Sequence, residues 1–468
     1  MFYLVLALAY VNLLTVRAQS SPPSSSPSAQ SSVGSVVGSA APTSSGAVTS
    51  ALPPPATTFS FSLQSTNPTA APLSQIVSGA PLSATQPLPS TASPGATPSS
   101  IPNAPPLPDP ATLNPAAYPP LDRPPPVDSP EVQQWKQEVA NSGITIPSFE
   151  PTVAGGCPAN PGPVADTSRC WWTCGGCTRE SDVTNCPDQM TWGLTYDDGP
   201  ANYTSNLLQY LDQANLKSTF FVVGSRVISF PRTLQLQYLT GHQIAVHTWS
   251  HPPLTTLSND EIIAELGWSR KAIKDVLGVT PNMMRPPFGD IDDRVRAISV
   301  AMGLTPVLWT RISPLATFDT DDFNIAGGIA SVQQVLHNWE DIVGNATTMN
   351  SGFIVLEHDL FQQSVEVATG YILPDALAHQ PAFRIEPVIS CLNKPLGDAY
   401  VETNDNATNP PIGGGSGHTT AVVTLSSGAP GSASATGAAS NTNSGASFAP
   451  SPLTFVAAAA GLLLAAFA

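Results

Sequence analysis

Between residues 191 and 359, short apolar runs recur with room for one amphipathic segment between neighbours. The runs are 191–196, 218–223, 243–248, 282–286, 305–310 and 353–357. Such alternation predicts parallel strands joined by crossover helices. The clearest helix is "SNDEIIAELGWSRKAIKDVLG". Ser258 and Glu261 have the spacing of a capping box, and Gly278 stands where a C-cap is expected. Ile262, Ile263, Leu266, Ile273, Val276 and Leu277 recur at helical period and define a buried face. The region 145–400 has about the size of a β/α barrel.

The rest of the chain reads differently. Of 468 residues 50 are Pro and 34 Gly, and only 11% are charged. The proline is concentrated before residue 150. Residues 19–144, rich in Ser, Pro, Ala and Thr, read as a disordered arm, because so little apolar surface does not offset the entropy of ordering. This composition also suits O-glycosylation. Residues 401–447 read as a similar Ser/Gly/Ala-rich stalk.

Both ends read as processing signals. Residues 1–18 resemble a signal peptide cut before Gln19, without a basic residue near the start. Residues 448–468 end in an apolar tail shorter than the ~20 residues of a membrane span. With small residues upstream they read as a GPI-anchor signal rather than a spanning helix, and Asn443, Ser444 and Gly445 are candidate attachment sites. Sequons at Asn202, Asn345 and Asn406 agree with a secretory route. The expected location is the extracellular face of the plasma membrane and the cell wall.

The six cysteines also fit an oxidising compartment. "CWWTCGGC" looks like half of a metal knuckle, but no second half exists, so Cys157, Cys170, Cys174 and Cys177 read as disulfide partners of open pairing. Cys186–Cys391 is the favoured bridge, because it would clamp the two ends of the folded region. A net charge of −16 argues against nucleic acid as a partner.

The unusual polar residues cluster where the apolar runs end. Asp197 and Asp198 follow the first, His247 and His251 the third, and His358 and Asp359 the last; Arg285 and Trp309 close the fourth and fifth. In a parallel barrel those ends meet on one face. Taken alone, two histidines at H-x3-H spacing are as often ordinary as ligating. With a carboxylate from another strand end they make a two-His, one-Asp set suited to a catalytic Zn²⁺. Asp198 is the expected third ligand and Asp197 the expected base. Arg285 is the expected partner of Asp197, and His358 the expected acid. Gly199-Pro200 reads as a turn and nothing more.

These segments resemble the five motifs of the polysaccharide deacetylase (NodB-homology) domain, carbohydrate esterase family four. "TYDDGP", "HTWSHP", "RPPFGD", "DTDDF" and "IVLEHD" stand in the family's order, over about residues 186–392. The cysteine arrangement, Ser/Thr-rich flanks and anchor signal look like fungal GPI-anchored chitin deacetylases. The resemblance implies a distorted (β/α) barrel and a divalent metal, Zn²⁺ or Co²⁺. It implies Asp198, His247 and His251 as ligands, Asp197 as base, His358 as acid and Arg285 as the group orienting Asp197. Asp319 would tune His358, although the long run before "DTDDF" leaves Asp322 as an alternative. Pro287 and Phe288 would contact substrate, Phe288 through a backbone N–H that holds the oxyanion. Trp309 and Leu356 would wall a pocket for the acetyl methyl.

The implied function is deacetylation of chitin or N-acetylglucosamine oligomers by a monomer. Alternatives are a deacetylase of xylan or peptidoglycan, an inactive wall-anchored sugar-binding protein, and a structural mannoprotein. The intact motif residues speak against the last two.

Overall fold

Short parallel strands form at the expected apolar runs. The computed structural model describes residues 59–314 and 316–406. Its strands are β1 (Thr191–Gly193), β2 (Thr195–Asp197), β3 (Thr219–Val222), β4 (Gln243–Val246), β5 (Met283–Met284), β6 (Thr305–Pro306), β7 (Phe353–Ile354) and β8 (Arg384–Glu386). Each of the first seven lies within an expected run. β8 was not expected, because Arg-Ile-Glu carries no apolar run and lies at a partly exposed edge.

The strands lie in two sheets, ordered β7-β1-β8 and β2-β3-β4-β5-β6, and every pairing is parallel. A parallel bridge between Asp197 and His358 links the sheets at one seam. At the other, the Thr310 N–H donates to the Ile354 carbonyl at 3.0 Å, past the end of β6. The result is the expected α/β architecture, a distorted barrel with strand C-termini on one face.

The helix Asn259–Leu277 starts on a complete Ser258/Glu261 capping box and stops at Gly278, whose φ of 80° suits a residue without a Cβ. Its six expected apolar residues are all buried. Cys186–Cys391 is bonded and wholly buried, joining the entry to β1 with the chain beyond β8. The other bridges are Cys157–Cys174 and Cys170–Cys177, so no thiol is left for a metal knuckle.

One expectation is corrected. Residues 59–144 are not a disordered arm, and the folded region does not begin at 145. Ile76, Ile101, Leu107, Val132, Trp135 and Val139 belong to the same apolar core as the barrel. The helix Pro130–Asn141 lies along Asn259–Leu277, and the Trp135 indole fills the space where Gly267 lacks a side chain. Salt bridges Lys136–Asp260 and Arg270–Glu138 flank that contact.

The Pro-rich stretch before this helix is held by its own turns and by barrel side chains that donate to its carbonyls. Gln235 donates to Pro108, Trp249 to Pro120, Tyr203 to Ser83 and Gln363 to Val77. Proline also restricts the unfolded chain, so a few widely spaced anchors suffice to order it. Such anchors leave no periodic trace in a sequence.

Residues 1–58 and 407–468 lie outside the described residues, and with them the expected signal peptide, most of the expected stalk, the expected anchor signal and the candidate attachment sites Asn443, Ser444 and Gly445. Asn202 and Asn406 are exposed and Asn345 half-buried. Among the described residues no helix is long and apolar enough to cross a membrane.

The docked arm gives a direct test. Trp135→Ala in the full chain should cost about 3–5 kcal/mol in urea unfolding, as for other buried tryptophans. Gln134→Ala, at an exposed neighbouring position, should stay within about 0.5 kcal/mol. Equal midpoints for the two variants would rule out a packed arm.

Candidate active site

Asp197 ends β2, and its backbone belongs to the barrel ladder: its N–H donates to Glu357 at 2.9 Å and its carbonyl accepts from Asp359 at 3.1 Å. Its side chain is buried and turns toward Arg285, whose Nη1 donates to Oδ1 at 2.8 Å and to the Thr195 hydroxyl at 2.9 Å. Arg285 is itself wholly buried and stacks over the Phe221 ring at 4.2 Å. Two buried opposite charges so matched satisfy each other where either alone would be costly.

Asp198 takes the opposite course because its backbone leaves the strand with φ 77°. The left-handed turn swings its carboxylate toward the histidines. Asp198 Oδ1 lies 3.3 Å from His247 Nε2 and 3.1 Å from His251 Nε2. Burial favours its neutral acid, but the two imidazoles outweigh burial and hold its pKa well below the usual carboxylate range.

The turn also depends on Asp359, a strand-end residue without an expected role, and on Thr204, which was not expected at the site. The Asp359 carboxylate occupies the space a Cβ at Gly199 would need, so only glycine fits there. Thr204 Oγ1 donates to the same carboxylate at 2.5 Å. Burial raises the Asp359 pKa to about 7.

The three ligand atoms of Asp198, His247 and His251 lie within 4.8 Å of one another. His247 Nδ1 lies 2.8 Å from the Arg285 carbonyl, which accepts its proton and leaves the Nε2 lone pair facing Asp198. Asp198 Oδ1 is buried with no hydrogen-bond donor among the described residues. A buried carboxylate oxygen facing two imidazole nitrogens requires positive charge there, and a cation supplies it when the imidazoles are neutral. The donor set suits a divalent ion that takes nitrogen and oxygen ligands.

His358 follows β7, and its backbone is bridged to that of Asp197. Asp322 holds it twice, accepting from the ring Nδ1 at 2.7 Å and from the backbone N–H at 2.9 Å. Burial disfavours the imidazolium, but the Asp322 carboxylate outweighs it, with Asp198 and Asp197 adding, and the His358 pKa rises to about 10. This corrects the expectation for Asp319. The Asp319 carboxylate accepts from the Asp321 N–H at 2.9 Å, and its backbone bridges Leu356 rather than reaching His358.

The cleft is walled by aromatic rings. Phe288 sits in the turn Pro287–Gly289 with φ 59°, and its ring meets His251 edge-on at 4.7 Å. Pro287 is buried beneath it. The Phe288 N–H has no acceptor among the described residues. Trp309 is 7% exposed, and its indole donates to Thr317 at 2.9 Å. Leu356 is 8% exposed, two residues before His358.

Trp172, absent from the sequence-based site, packs on Trp309 at 4.6 Å, and both rings crowd the Cα of Gly289. The doubly bridged loop therefore reaches the cleft. Trp171 donates to Asp290 at 2.8 Å, Thr173 to the Gly289 carbonyl at 2.9 Å and the Trp172 N–H to Ile291 at 3.0 Å. Two adjacent tryptophans between cysteines were the one available signal.

Comparison with known proteins places this geometry. Residues 184–307 match the family model described as polysaccharide deacetylase. Chitin deacetylase 1 of Cryptococcus neoformans var. grubii serotype A is 51% identical over 344 residues, which is 73% of this chain and 72% of that protein. Chitin deacetylase of Amylomyces rouxii is 40% identical over 228 residues, 43% of this chain and 52% of that protein. Among solved structures, the chitin deacetylase of Colletotrichum lindemuthianum is 24% identical with a TM-score of 0.41, over 48% of this chain and 97% of that one.

Cation binding can be read from stability. Zinc or cobalt added to chelator-treated protein at a hundredfold excess over its Kd should stabilise the fold by about 2.7 kcal/mol, seen as a higher thermal midpoint. His247→Ala and His251→Ala should abolish most of that rise while remaining folded. An undiminished rise in both variants would exclude the Asp198, His247, His251 set.

Proposed function

The chain belongs to the polysaccharide deacetylase family, and from that premise we propose that it is a metal-dependent chitin deacetylase. It hydrolyses the N-acetyl groups of N-acetylglucosamine residues, leaving chitosan and acetate. The observation that carries this reading is that a three-ligand cation set, an Asp197–Arg285 pair and a His358–Asp322 pair meet at neighbouring strand ends. Chitin is the substrate favoured by the names of the fungal relatives, to one of which more than half the aligned residues are identical.

Asp198, His247 and His251 would hold the ion. A divalent ion bound there, zinc or cobalt, would supply Lewis acidity to the amide carbonyl and to water, whose pKa such ions bring toward ~7. Asp197, fixed by Arg285, accepts the proton of the attacking water. The new C–O bond forms at the acetyl carbon, and the Phe288 N–H donates to the developing oxyanion. His358, charged by virtue of Asp322, gives its proton to the nitrogen as the C–N bond breaks. Acetate and the free amine leave. Trp309 and Leu356 flank the acetyl methyl, and Pro287 shapes the turn that presents Phe288.

The disulfides, the three sequons and the terminal segments support a secreted, glycosylated protein tethered by a GPI anchor at the cell surface. Deletion of residues 448–468 should then release it to the medium.

Incubating the purified protein with N-acetylglucosamine oligomers, with and without chelator, tests the activity. Mass spectrometry should show loss of acetyl groups only without chelator. Acetate release from acetylated xylan but not from these oligomers would overturn the chitin assignment.

Two variants separate the carboxylates. Asp197→Asn should keep the metal and lose about 10²- to 10⁴-fold in kcat, whereas Asp198→Asn should lose metal. The reverse pattern would exchange their roles.

A third variant reads the acid. His358 works protonated, so activity is lost as pH rises through its pKa, which stands at about 10. Asp322→Asn removes the main cause of that elevation and should move the basic limb of the kcat profile to lower pH. Asp319→Asn should leave the limb in place.

A further inference from the structure

The two histidine ligands are separated by Thr248, Trp249 and Ser250, and this segment is not a helical turn. Thr248 has φ 64° and His251 φ 63°. A β-branched residue in the left-handed region is strained and persists only where its surroundings over-determine it. His251 owes its approach to Asp198 to this backbone.

The constraints come from two sides. From β3 and the residues after it, the Gly224 N–H donates to the Thr248 carbonyl at 2.9 Å and the Ser225 N–H to the Trp249 carbonyl at 3.2 Å. Within the segment, the His251 N–H donates to Thr248 Oγ1 at 3.0 Å. This leaves the N–H groups of Trp249 and Ser250 pointing into the protein. Both donate to one oxygen of Glu265, Oε2, at 2.8 and 2.9 Å. The Ser250 hydroxyl donates to the other, Oε1, at 2.6 Å. Glu265 comes from the middle of the helix Asn259–Leu277 and is wholly buried. No acid was expected on that face, where its neighbours are apolar.

We propose that Glu265 is a positioning residue for the metal centre: by accepting both backbone N–H groups of Trp249 and Ser250 and the Ser250 hydroxyl it holds the strained turn that aims His251 at Asp198. The proposal rests on the reading of Asp198, His247 and His251 as the cation set. It assigns Glu265 no contact with the ion or the substrate. The hydrogen-bond pattern, not the charge, is the functional property. A glutamine reproduces that pattern, since its carbonyl oxygen accepts both N–H groups and its amide donates to the Ser250 hydroxyl. An aspartate keeps the charge but is shorter by one C–C bond, about 1.5 Å, and does not reach all three.

The test compares Glu265→Gln, Glu265→Asp and Ser250→Ala in the full chain. Zinc affinity is read by chelator competition, and amide exchange of Trp249, Ser250 and His251 is read in the metal-free protein. E265D should weaken zinc binding by about 10- to 100-fold, the range for residues that orient metal ligands, and should speed exchange at those three amides. E265Q should match the wild type in both. S250A should shift both in the direction of E265D, by less. Wild-type affinity in E265D, or in S250A should E265D not fold, overturns the proposal. An equal loss in E265Q and E265D also overturns it, because charge would then be what matters. If the wild type takes up no zinc while the exchange pattern holds, the metal reading fails and the role of Glu265 in fixing the turn stands.

Discussion

Two carboxylates on adjacent residues, both buried, set the problem that the rest of the site answers. Left side by side they would repel, and neither has water to screen it. The backbone separates them. Asp197 is still strand and projects toward Arg285, while Asp198 is already left-handed and projects toward two imidazoles. The separation needs a glycine next in line, because Asp359 packs against the Cα of Gly199. The strand end, the turn and the helix-borne supports are thus parts of one arrangement that gives each of two like charges its own partner, with His247 Nε2 facing both, 3.8 Å from Asp197 and 3.3 Å from Asp198.

That arrangement recruits distant chain. Arg285 arrives from β5, the histidines from the end of β4, and Asp322 from the segment ahead of β7. The N-terminal arm adds to it from outside. Pro120 accepts from the Trp249 indole, on which Tyr118 stacks, and Ser83 accepts from Tyr203 just beyond the Gly199 turn. The disulfide loop supplies Trp172 behind Trp309. A barrel alone would leave these loops with few neighbours, and the Pro-rich arm and bridged loop supply them.

What was legible in the sequence follows from how each feature is encoded. Strand positions, the capping box and the paired polar residues at strand ends are local patterns, and the structure contains them. The arm was misjudged because Ile76, Ile101 and Leu107 are isolated anchors in a polar composition, and docking is a property of the surface they meet. Asp319 and Asp322 lie on one short stretch and differ only in which way the chain turns. Asp321 between them, with φ 65°, marks the kink that decides it. Glu265 carries no local signal of purpose, since its partners lie in another element, and Trp172 carries only its place beside Trp171 between cysteines.

The two flanking pairs have opposite composition, and the difference has a chemical consequence. Asp197 faces Arg285, a cation that does not give up its proton, so the carboxylate is left with lone pairs to receive one. His358 faces Asp322, an anion, so the imidazolium is favoured and a proton is available to leave. An amide resists hydrolysis because its nitrogen departs poorly without a proton and water attacks poorly with both of its own. One charge pair of each kind, beside one cation set, addresses both difficulties at a single pH. The burial that makes each pair obligatory is the same burial that keeps bulk water from equalising them.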